Sequence, residues 1–430
     1  MDCTKLNQQI KQLEEEYQAF SEEMDNFTEY NPKKLQEFDS SLSEIEKKCD
    51  NILKEHLDEI YEKNPELNEW KFGEVIRSGL SAIHSSQPIA DGNGKLTGIM
   101  AMGNRGQASV LSQNEDGDWK FGEVIKNSNL DTILSSQPIF DETGKTIGIM
   151  AMDNKGRARM LSRNDANEWK FGEVIKSGLG AIKSSLPIAE ENGKLTGIMA
   201  MDGRGRARML SRNDANKWQF GEVIGSELGA ILSSQPIFDE TGKMTGIMAM
   251  DDRGRVRMLS RNDANEWQFG EVINSKLGAI YSSQPITDEN GRLTGIMAMD
   301  WSGRASILSQ NEDGEWKFGE AIKSGLSWTY SSQSIIDKNG KLTGIMAMGH
   351  GRASVLSQNE DGEWKFGGVI RSGLSDIHSS QPITDENGKL TGIMAMDSNG
   401  QASILSVSEK SVETLKQKLG EIIEKNIEKN

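Results

Sequence analysis

The sequence predicts an all-β fold, a seven-bladed β-propeller, with an α-helical hairpin before it and one amphipathic helix after it. A tryptophan recurs about every 49 residues, and such a regular period indicates repeat architecture. Each interval contains four apolar stretches that Gly and Pro interrupt, which favours four short antiparallel strands over packed helices. Four-stranded units repeated in this way are typical of propeller blades, although the period alone leaves an open β-solenoid as the alternative. The tryptophans that mark the units are Trp70, Trp119, Trp169, Trp218, Trp267, Trp316 and Trp364.

The repeats divide the chain into three predicted segments. The helical hairpin covers residues 1–67, the propeller 68–406 and the C-terminal helix 407–430. The first unit begins at Trp70 and the last ends near Ser406. We therefore expect whole units to close the ring without a strand exchanged between the chain ends, with a register offset left open.

The helical predictions rest on apolar spacing. Apolar residues in the first segment alternate steps of three and four, which is typical of a coiled-coil seam, and a second seam follows Asn31 and Pro32. We expect the hairpin and the C-terminal helix to pack as a small bundle, and the exposed seam to mate with a second copy or a partner. The residues of the first seam are Leu6, Ile10, Leu13, Tyr17, Phe20, Met24 and Phe27; those of the C-terminal helix are Val412, Leu415, Leu419, Ile422 and Ile427.

Within a unit, each apolar stretch has a distinct pattern. The Gly-Ile-Met-Ala-Met stretch, for example Gly148–Met152, is apolar on both faces and is predicted to be core. Turn residues such as Asp91–Gly94 predict hairpins between strands. A Ser-Ser pair, such as Ser85 and Ser86, occurs in every unit, and we interpret it as a buried hydroxyl network that joins the blades, or else as a repeated ligand site.

Composition and charge limit the classes of partner. The formal net charge is −16, and no polybasic stripe predicts binding to nucleic acid or an anionic membrane. No signal peptide or membrane-spanning apolar run is apparent, so we expect no membrane insertion and a cytoplasmic protein, or one released without a signal peptide. Cys3 and Cys49 are predicted to lie too far apart in the helical hairpin for a disulfide.

The polar residues do not predict an enzyme. No Ser-His-Asp set, Cys-His set or phosphate loop appears, so we expect no catalytic residues, no metal and no cofactor. The histidines lack metal-ligand spacing. His84 and His378 share one repeat position, which we interpret as surface variation. Trp301 and Trp328 lie outside the repeat register and are interpreted as a specialised contact or, preferably, as surface drift.

Three repeated residue types are the candidate ligand-binding residues. Tryptophan stacks on sugar rings and anchors interfaces, although it also packs between blades. A carboxylate and a guanidinium near it would suit sugar hydroxyls, or would form an interblade ion pair. Besides the seven tryptophans, the candidates are Glu74, Glu123, Glu173, Glu222, Glu271 and Glu320, with Arg157, Arg206, Arg255, Arg304 and Arg352.

The Trp-x-x-Gly element, followed by a small-residue strand and a strand with Arg before the next Trp, resembles the blades of lectin propellers. The fungal fucose-binding, tachylectin-like and tectonin groups share this pattern. The resemblance implies ligand pockets between adjacent blades, lined by residues such as Trp119, Glu123 and Arg157.

Two functions follow as hypotheses. The first is a multivalent carbohydrate-binding propeller, in which repeated weak sites gain avidity on glycans. The second is a non-enzymatic scaffold that binds a protein partner through a propeller face or the acidic helical segment. A lectin should keep its pocket in all units, whereas a scaffold should specialise one face.

Overall fold

The computed structural model describes residues 70–407, apart from 127, 190–194, 240, 242, 289–291, 338–340, 360–361 and 386–389. The predicted helical hairpin and C-terminal helix lie outside the described residues, except for Val407, which ends the last strand. Residues Trp70–Val407 form one compact unit. In the described part of the chain, no helix is long and apolar enough to cross a membrane.

The chain folds into short antiparallel strands, and the only other regular element among the described residues is a single 3₁₀ turn at Asn104–Gly106. In chain order the strands are β1 (Trp70–Phe72), β2 (Ile76–Arg77), β3 (Ile83–Ala90), β4 (Leu96–Gly103), β5 (Ala108–Gln113), β6 (Trp119–Phe121), β7 (Ile133–Phe140), β8 (Thr146–Asp153), β9 (Arg157–Arg163), β10 (Trp169–Phe171), β11 (Ile175–Lys176), β12 (Ile182–Ala189), β13 (Leu195–Asp202), β14 (Arg206–Arg212), β15 (Trp218–Phe220), β16 (Ile224–Gly225), β17 (Ile231–Phe238), β18 (Met244–Asp251), β19 (Arg255–Arg261), β20 (Trp267–Asn274), β21 (Ile280–Thr287), β22 (Leu293–Asp300), β23 (Arg304–Gln310), β24 (Trp316–Phe318), β25 (Ile322–Lys323), β26 (Thr329–Ile336), β27 (Leu342–Gln358), β28 (Trp364–Thr384), β29 (Leu390–Asp397) and β30 (Gln401–Val407).

These strands form four-stranded blades, which confirms the predicted propeller of repeated sheets. We call the strands of a blade a to d, from the inside outwards. Blade 1 is β3–β6, blade 2 is β7–β10, blade 3 is β12–β15, blade 4 is β17–β20 and blade 5 is β21–β24. The long β27 and β28 serve two positions each: β26, β27 and the start of β28 make blade 6, and the end of β28 begins blade 7.

Blade 7 is completed by the start of the described chain. Strand β1 pairs antiparallel with β30, with Trp70 opposite Val407 and Phe72 opposite Leu405. The expectation that whole units close the ring without strand exchange is therefore wrong. The reason is local: a tight turn folds each Trp strand onto the preceding unit, so the first Trp strand has the last blade as its partner. This pairing removes two exposed sheet edges.

A closed ring of serine hydroxyls joins the a strands. One serine of each pair bonds to a serine of the next blade, with Oγ to Oγ distances of 2.6–2.8 Å. The Ser379–Ser86 bond joins blade 7 to blade 1, so the ring is continuous and the open solenoid is excluded. The predicted hydroxyl network is confirmed. The bonded pairs are Ser85–Ser136, Ser135–Ser185, Ser184–Ser234, Ser233–Ser283, Ser282–Ser332, Ser331–Ser380 and Ser379–Ser86.

The hydrophobic core lies between adjacent blades. The methionines of the b strands, such as Met100 and Met102, are fully buried, which confirms their predicted core role. Each b strand packs its two faces into two different interblade clusters: Met100 joins Ile133 of blade 2, while Ile99 joins Met394 of blade 7. Because every cluster is shared by two blades, each blade depends on both of its neighbours for its core.

Candidate functional site

The antiparallel order gives the propeller two distinct faces. The b–c turns and the connections from d to the next a strand lie at one end, which we call the upper face. The a–b and c–d turns lie at the other end, the lower face. Hydrogen bonds agree with this division: on the upper face Ser177, in a d–a connection, donates its Oγ proton to the carbonyl of Gly156 in a b–c turn.

The predicted tryptophans lie at the lower end of the d strands. Trp70 is buried, with 7% of its surface exposed, and the other six are partly buried against interblade clusters. Trp119, for instance, packs beside the cluster that contains Leu80 and Ile99. In blades 2, 3 and 4 an arginine of strand c also stacks on the indole, with 4.9 Å between the Arg261 guanidinium and the Trp267 ring. Packing between blades therefore accounts for much of each tryptophan's surroundings.

One interblade cavity on the lower face includes a predicted residue. The cavity, of about 920 Å³, lies between blades 3 and 4. Trp267 and Arg261 form one side, and Met209 and Met244 supply apolar surface. Five of its eleven lining residues are apolar and six are polar or charged, so the cavity offers both packing surface and hydrogen-bonding groups.

The predicted arginines lie at the opposite, upper end of strand c and bind a carboxylate in their own blade. Each of the four pairs joins the guanidinium to a fully buried aspartate at the end of strand b, at 2.5–2.8 Å. The pairs are Arg157–Asp153, Arg206–Asp202, Arg255–Asp251 and Arg304–Asp300. Arg352 faces a different arrangement, because Gly349 occupies the aspartate position of blade 6.

The buried aspartates were not among the predicted site residues, although their spacing of four residues before the arginine recurs in the sequence. Burial opposes the ionisation of Asp202, but hydrogen bonds from the Gly180 amide and from Arg206 outweigh it and keep the pKa of this carboxyl below its ordinary value. The pair is therefore ionised at neutral pH and ties the b–c turn to the incoming d–a connection.

The predicted glutamates lie apart from both sets. Glu74, Glu123, Glu173, Glu222, Glu271 and Glu320 are exposed, just after the glycine that follows the Trp-x-Phe segment of strand d. The predicted tryptophans thus lie at the lower end of a blade, the arginines at its upper end and the glutamates at its outer edge. Of the predicted residues, Trp267 lines the interblade cavity.

A cluster of six aromatic rings occupies one part of the upper face. The rings are contributed by blades 5, 6, 7 and 1, and we call them the aromatic sector: Trp301, Trp328, Tyr281, Tyr330, His378 and His84.

The a strands surround the central channel of the propeller, and we call its upper end the channel mouth. The rings form a row of contacts around this mouth. Tyr281 meets Tyr330 edge-on, with ring centroids 5.6 Å apart. Tyr330 lies 4.7 Å from His378, which lies 5.3 Å from His84 across the junction of the last and first blades. Trp328 adds to this row through Tyr330 at 6.1 Å. These separations suit favourable edge and tilted contacts between aromatic rings.

The two tryptophans of the sector lie in contact. Trp301 is in the b–c turn of blade 5 and Trp328 in the d–a connection that enters blade 6, with ring centroids 5.3 Å apart. They are 43% and 47% exposed. Their mutual contact supports a specialised contact at these positions and disfavours the alternative interpretation, surface drift.

The backbone at Trp328 adopts an uncommon conformation. Its φ is +69°, in the left-handed region that a bulky side chain rarely occupies. Gly349 lies against this segment, where a Cβ would collide with the Trp328 carbonyl oxygen. Such a residue costs about 1–3 kcal/mol of strain, a cost usually retained at functional sites.

The sector is built at a position where the repeats differ. The residue before the Ser-Ser pair is His84, Leu134, Lys183, Leu232, Tyr281, Tyr330 and His378 in blades 1 to 7. The serines beside it are the same in all units, so this position varies next to a constant one. Burial lowers the pKa of both His84 and His378, which leaves their imidazoles mainly neutral at neutral pH. Burial also raises the pKa of the Tyr330 phenol.

Comparison with known proteins supports the fold. No family model matches the chain, and no curated protein matches it by sequence. The structure is similar to the crystal structure of the WD40 β-propeller domain of Doa1, with a TM-score of 0.57 and 10% sequence identity. The similarity covers 80% of this chain and 98% of that domain. At this identity the comparison shows the propeller fold alone.

Proposed function

We propose that this protein is a non-enzymatic, protein-binding β-propeller scaffold whose aromatic sector contacts the partner. The observation that carries the proposal is the confinement of six contacting aromatic rings to one part of the upper face. The Trp-x-Phe, Ser-Ser and Gly-Ile-Met-Ala-Met segments, by contrast, occur in all seven units. A scaffold specialises one face, whereas a multivalent lectin keeps the same pocket in every unit.

The exposure of the sector supports this proposal. Trp301, Trp328 and Tyr281 are each about two-fifths exposed, and they lie in contact with partly buried rings. Trp and Tyr are enriched among residues that dominate binding energy at protein interfaces, because their large rigid rings bury much surface at small entropic cost. Contiguous exposed rings, unlike scattered ones, mark interaction surfaces.

The test is affinity capture from cell extract on the immobilised full chain, compared with two double variants. Trp301→Ser with Trp328→Ser removes the exposed indoles of the sector. Phe140→Ser with Phe238→Ser is the matched control, because these side chains are 43% and 44% exposed on the lower face. Both pairs are solvent-exposed, so we expect both variants to remain folded, as circular dichroism would check.

We expect the sector variant to lose specific proteins that the wild type and the control variant both retain. For a purified partner, the loss should be about 30-fold or more in Kd, since a hot-spot residue contributes about 2 kcal/mol or more. Equal retention by all three proteins would show that the aromatic sector is not the binding surface.

Carbohydrate binding is the second candidate, and the cavity between blades 3 and 4 favours it. An indole beside a guanidinium offers a stacking surface and hydrogen-bond donors for a sugar ring. A glycan array on the full chain and on Trp267→Ala tests it. Saturable binding that Trp267→Ala abolishes and Trp301→Ser leaves intact would support a lectin and count against the scaffold proposal.

A further inference from the structure

The upper face carries a second specialised group, formed by basic residues. The tips of the b–c turns of blades 1 to 4 are all basic and exposed, and the channel mouth of blade 3 has an exposed lysine. We call these residues the cationic sector: Arg105, Lys155, Arg204, Arg253 and Lys183. The corresponding tips of blades 5 to 7 are Ser302, His350 and Asn399.

The two sectors face each other across the channel mouth. The aromatic sector occupies blades 5, 6, 7 and 1, and the cationic sector occupies blades 1 to 4. The two sectors touch in blade 1, because His84 Nε2 lies 3.2 Å from Oδ1 of Asn104, the residue beside Arg105 in the b–c turn. The upper face therefore has an aromatic side and a cationic side that meet at blade 1.

Acidic residues on the upper face only partly offset this charge. Asp131 binds Lys155 at 2.8 Å, and Glu227 binds Arg257 at 3.4 Å, while Asp376 accepts a hydrogen bond from His350. The aspartates at the ends of the b strands of blades 2 to 5 are matched by arginines of strand c, whereas Asp397 of blade 7 has Gln401 at that position. Asp252 is exposed beside Arg253 and reduces the local charge.

The lower face has the opposite character. Its c–d turns present acidic groups in succession, among them Glu115, Asp116, Asp165, Glu168, Asp214, Asp263, Glu312 and Asp313. Net charge of −16 and an acidic lower face make the basic tips of the upper face a local exception. Such a concentration of one sign steers a partner of the opposite sign to one face.

From this arrangement we infer that the upper face binds an acidic polypeptide segment that carries an aromatic or aliphatic anchor. The anchor packs on the aromatic sector, and the flanking carboxylates lie along the cationic sector. This inference rests on the proposed function and adds the chemistry of the partner. Arginine suits the role because its guanidinium binds carboxylates in a bidentate manner.

The experiment selects peptides from a random twelve-residue display library on the immobilised full chain. We expect enriched peptides to have a net negative charge and at least one aromatic or large aliphatic residue. The best peptide is then synthesised and titrated by fluorescence polarisation against three double variants: Trp301→Ser/Trp328→Ser, Arg204→Glu/Arg253→Glu and, on the lower face, Phe140→Ser/Phe238→Ser.

The first two variants should each weaken binding at least tenfold, and the lower-face variant should not change it. Raising the salt concentration from 50 to 300 mM should weaken wild-type binding and have little effect on the residual binding of the arginine variant. The side chains replaced in the three double variants are all exposed, so we expect each variant to remain folded, as circular dichroism would check.

Failures of the two proposals are distinguishable. Enriched peptides that are neutral or basic, but depend on Trp301 and Trp328, would overturn the acidic assignment and leave the scaffold proposal standing. An absence of enrichment, with capture from extract unaffected by the sector variant, would overturn both. Peptides that match the acidic residues 1–68 of this chain, which contain 18 Asp and Glu against 8 Lys, would overturn the assignment to a separate partner.

Discussion

Replacing Trp70 with alanine tests whether the first strand holds the ring closed. Trp70 is the buried member of the seven repeat tryptophans, and it packs with Met346, Ile377 and Leu405 of the last two blades. In the described part of the chain, no turn connects this strand to the last blade, with which it forms hydrogen bonds. Side-chain packing therefore contributes more to holding this strand in place than it does for the other Trp strands.

The magnitude follows from the burial. An indole that buries about 200 Å² contributes about 5 kcal/mol at about 25 cal/mol per Å². Measured substitutions of buried tryptophan by alanine cost about 3–5 kcal/mol, which brackets the same value. With an unfolding entropy of about 2.1 cal/mol/K per residue, this loss lowers the Tm of a propeller of this length by about 4–7 °C.

Urea denaturation of the full chain measures the loss, and Trp316→Ala is the matched control. Trp316 begins the same strand of blade 5 and is partly buried, and a tight turn connects it to strand c of its own blade. We expect Trp70→Ala to be the more destabilising and to increase proteolytic cleavage near residues 70–77. If the two variants lose equal stability and cleavage is unchanged, the first strand does not determine closure.

Two further predictions concern the upper face. Asp202→Ala should reduce the free energy of unfolding by about 2–4 kcal/mol, because the Gly180 amide loses its buried acceptor and Arg206 loses its partner; a loss below about 1 kcal/mol in urea titration would contradict this. Stability should also fall as the pH drops below the ordinary histidine value of 6.5, since the folded state holds His84 and His378 with lowered pKa values while the unfolded chain takes up protons. The groups that face this pair are Lys183, Asp376 and Asp397, and the double variant with glutamine at both histidines should lose the pH dependence between pH 7.5 and 5.5.

The repeated features of the fold were predictable from the sequence. Apolar stretches of fixed length, broken at fixed places, predict four strands per unit, and the doubly apolar stretch around Met150 and Met152 predicts a strand covered on both faces. The recurring Ser-Ser pair predicted the hydroxyl network because a polar pair among core strands requires partners.

The closing strand could not be predicted from the period. A repeating sequence has the same period whichever strand is taken as the start of the unit. The period therefore does not show whether the Trp70 strand belongs to the first blade or to the last. The Asp–Arg pairs were accessible in principle, as Asp202 and Arg206 recur at the same spacing in several units. The spacing alone does not show that the aspartate is fully buried and lies against the guanidinium.

The aromatic sector required the three-dimensional ring. His84 and His378 lie near opposite ends of the propeller sequence, and closure makes their blades adjacent. Trp301 and Trp328 come from different kinds of connection, and they meet because b–c turns and d–a connections share the upper face. A repeat alignment shows such residues as separate departures from a consensus, without the neighbour relation that joins them.

The same closure separates stability from recognition within each a strand. The serine pair occurs in all seven blades and the interblade clusters share most of their members, so the residue immediately before the pair can change from His84 to Leu134 to Lys183 without a change in the serine ring. A core side chain must pack against two neighbouring blades. The side chain at the channel mouth contacts mainly the equivalent side chains of the neighbouring blades, so more residue types fit there. Variation that accumulates there alters the chemistry of one face while the scaffold is conserved by packing. Variation at this position and at the b–c turns and d–a connections therefore gives the upper face an aromatic side and a cationic side without altering the interblade core.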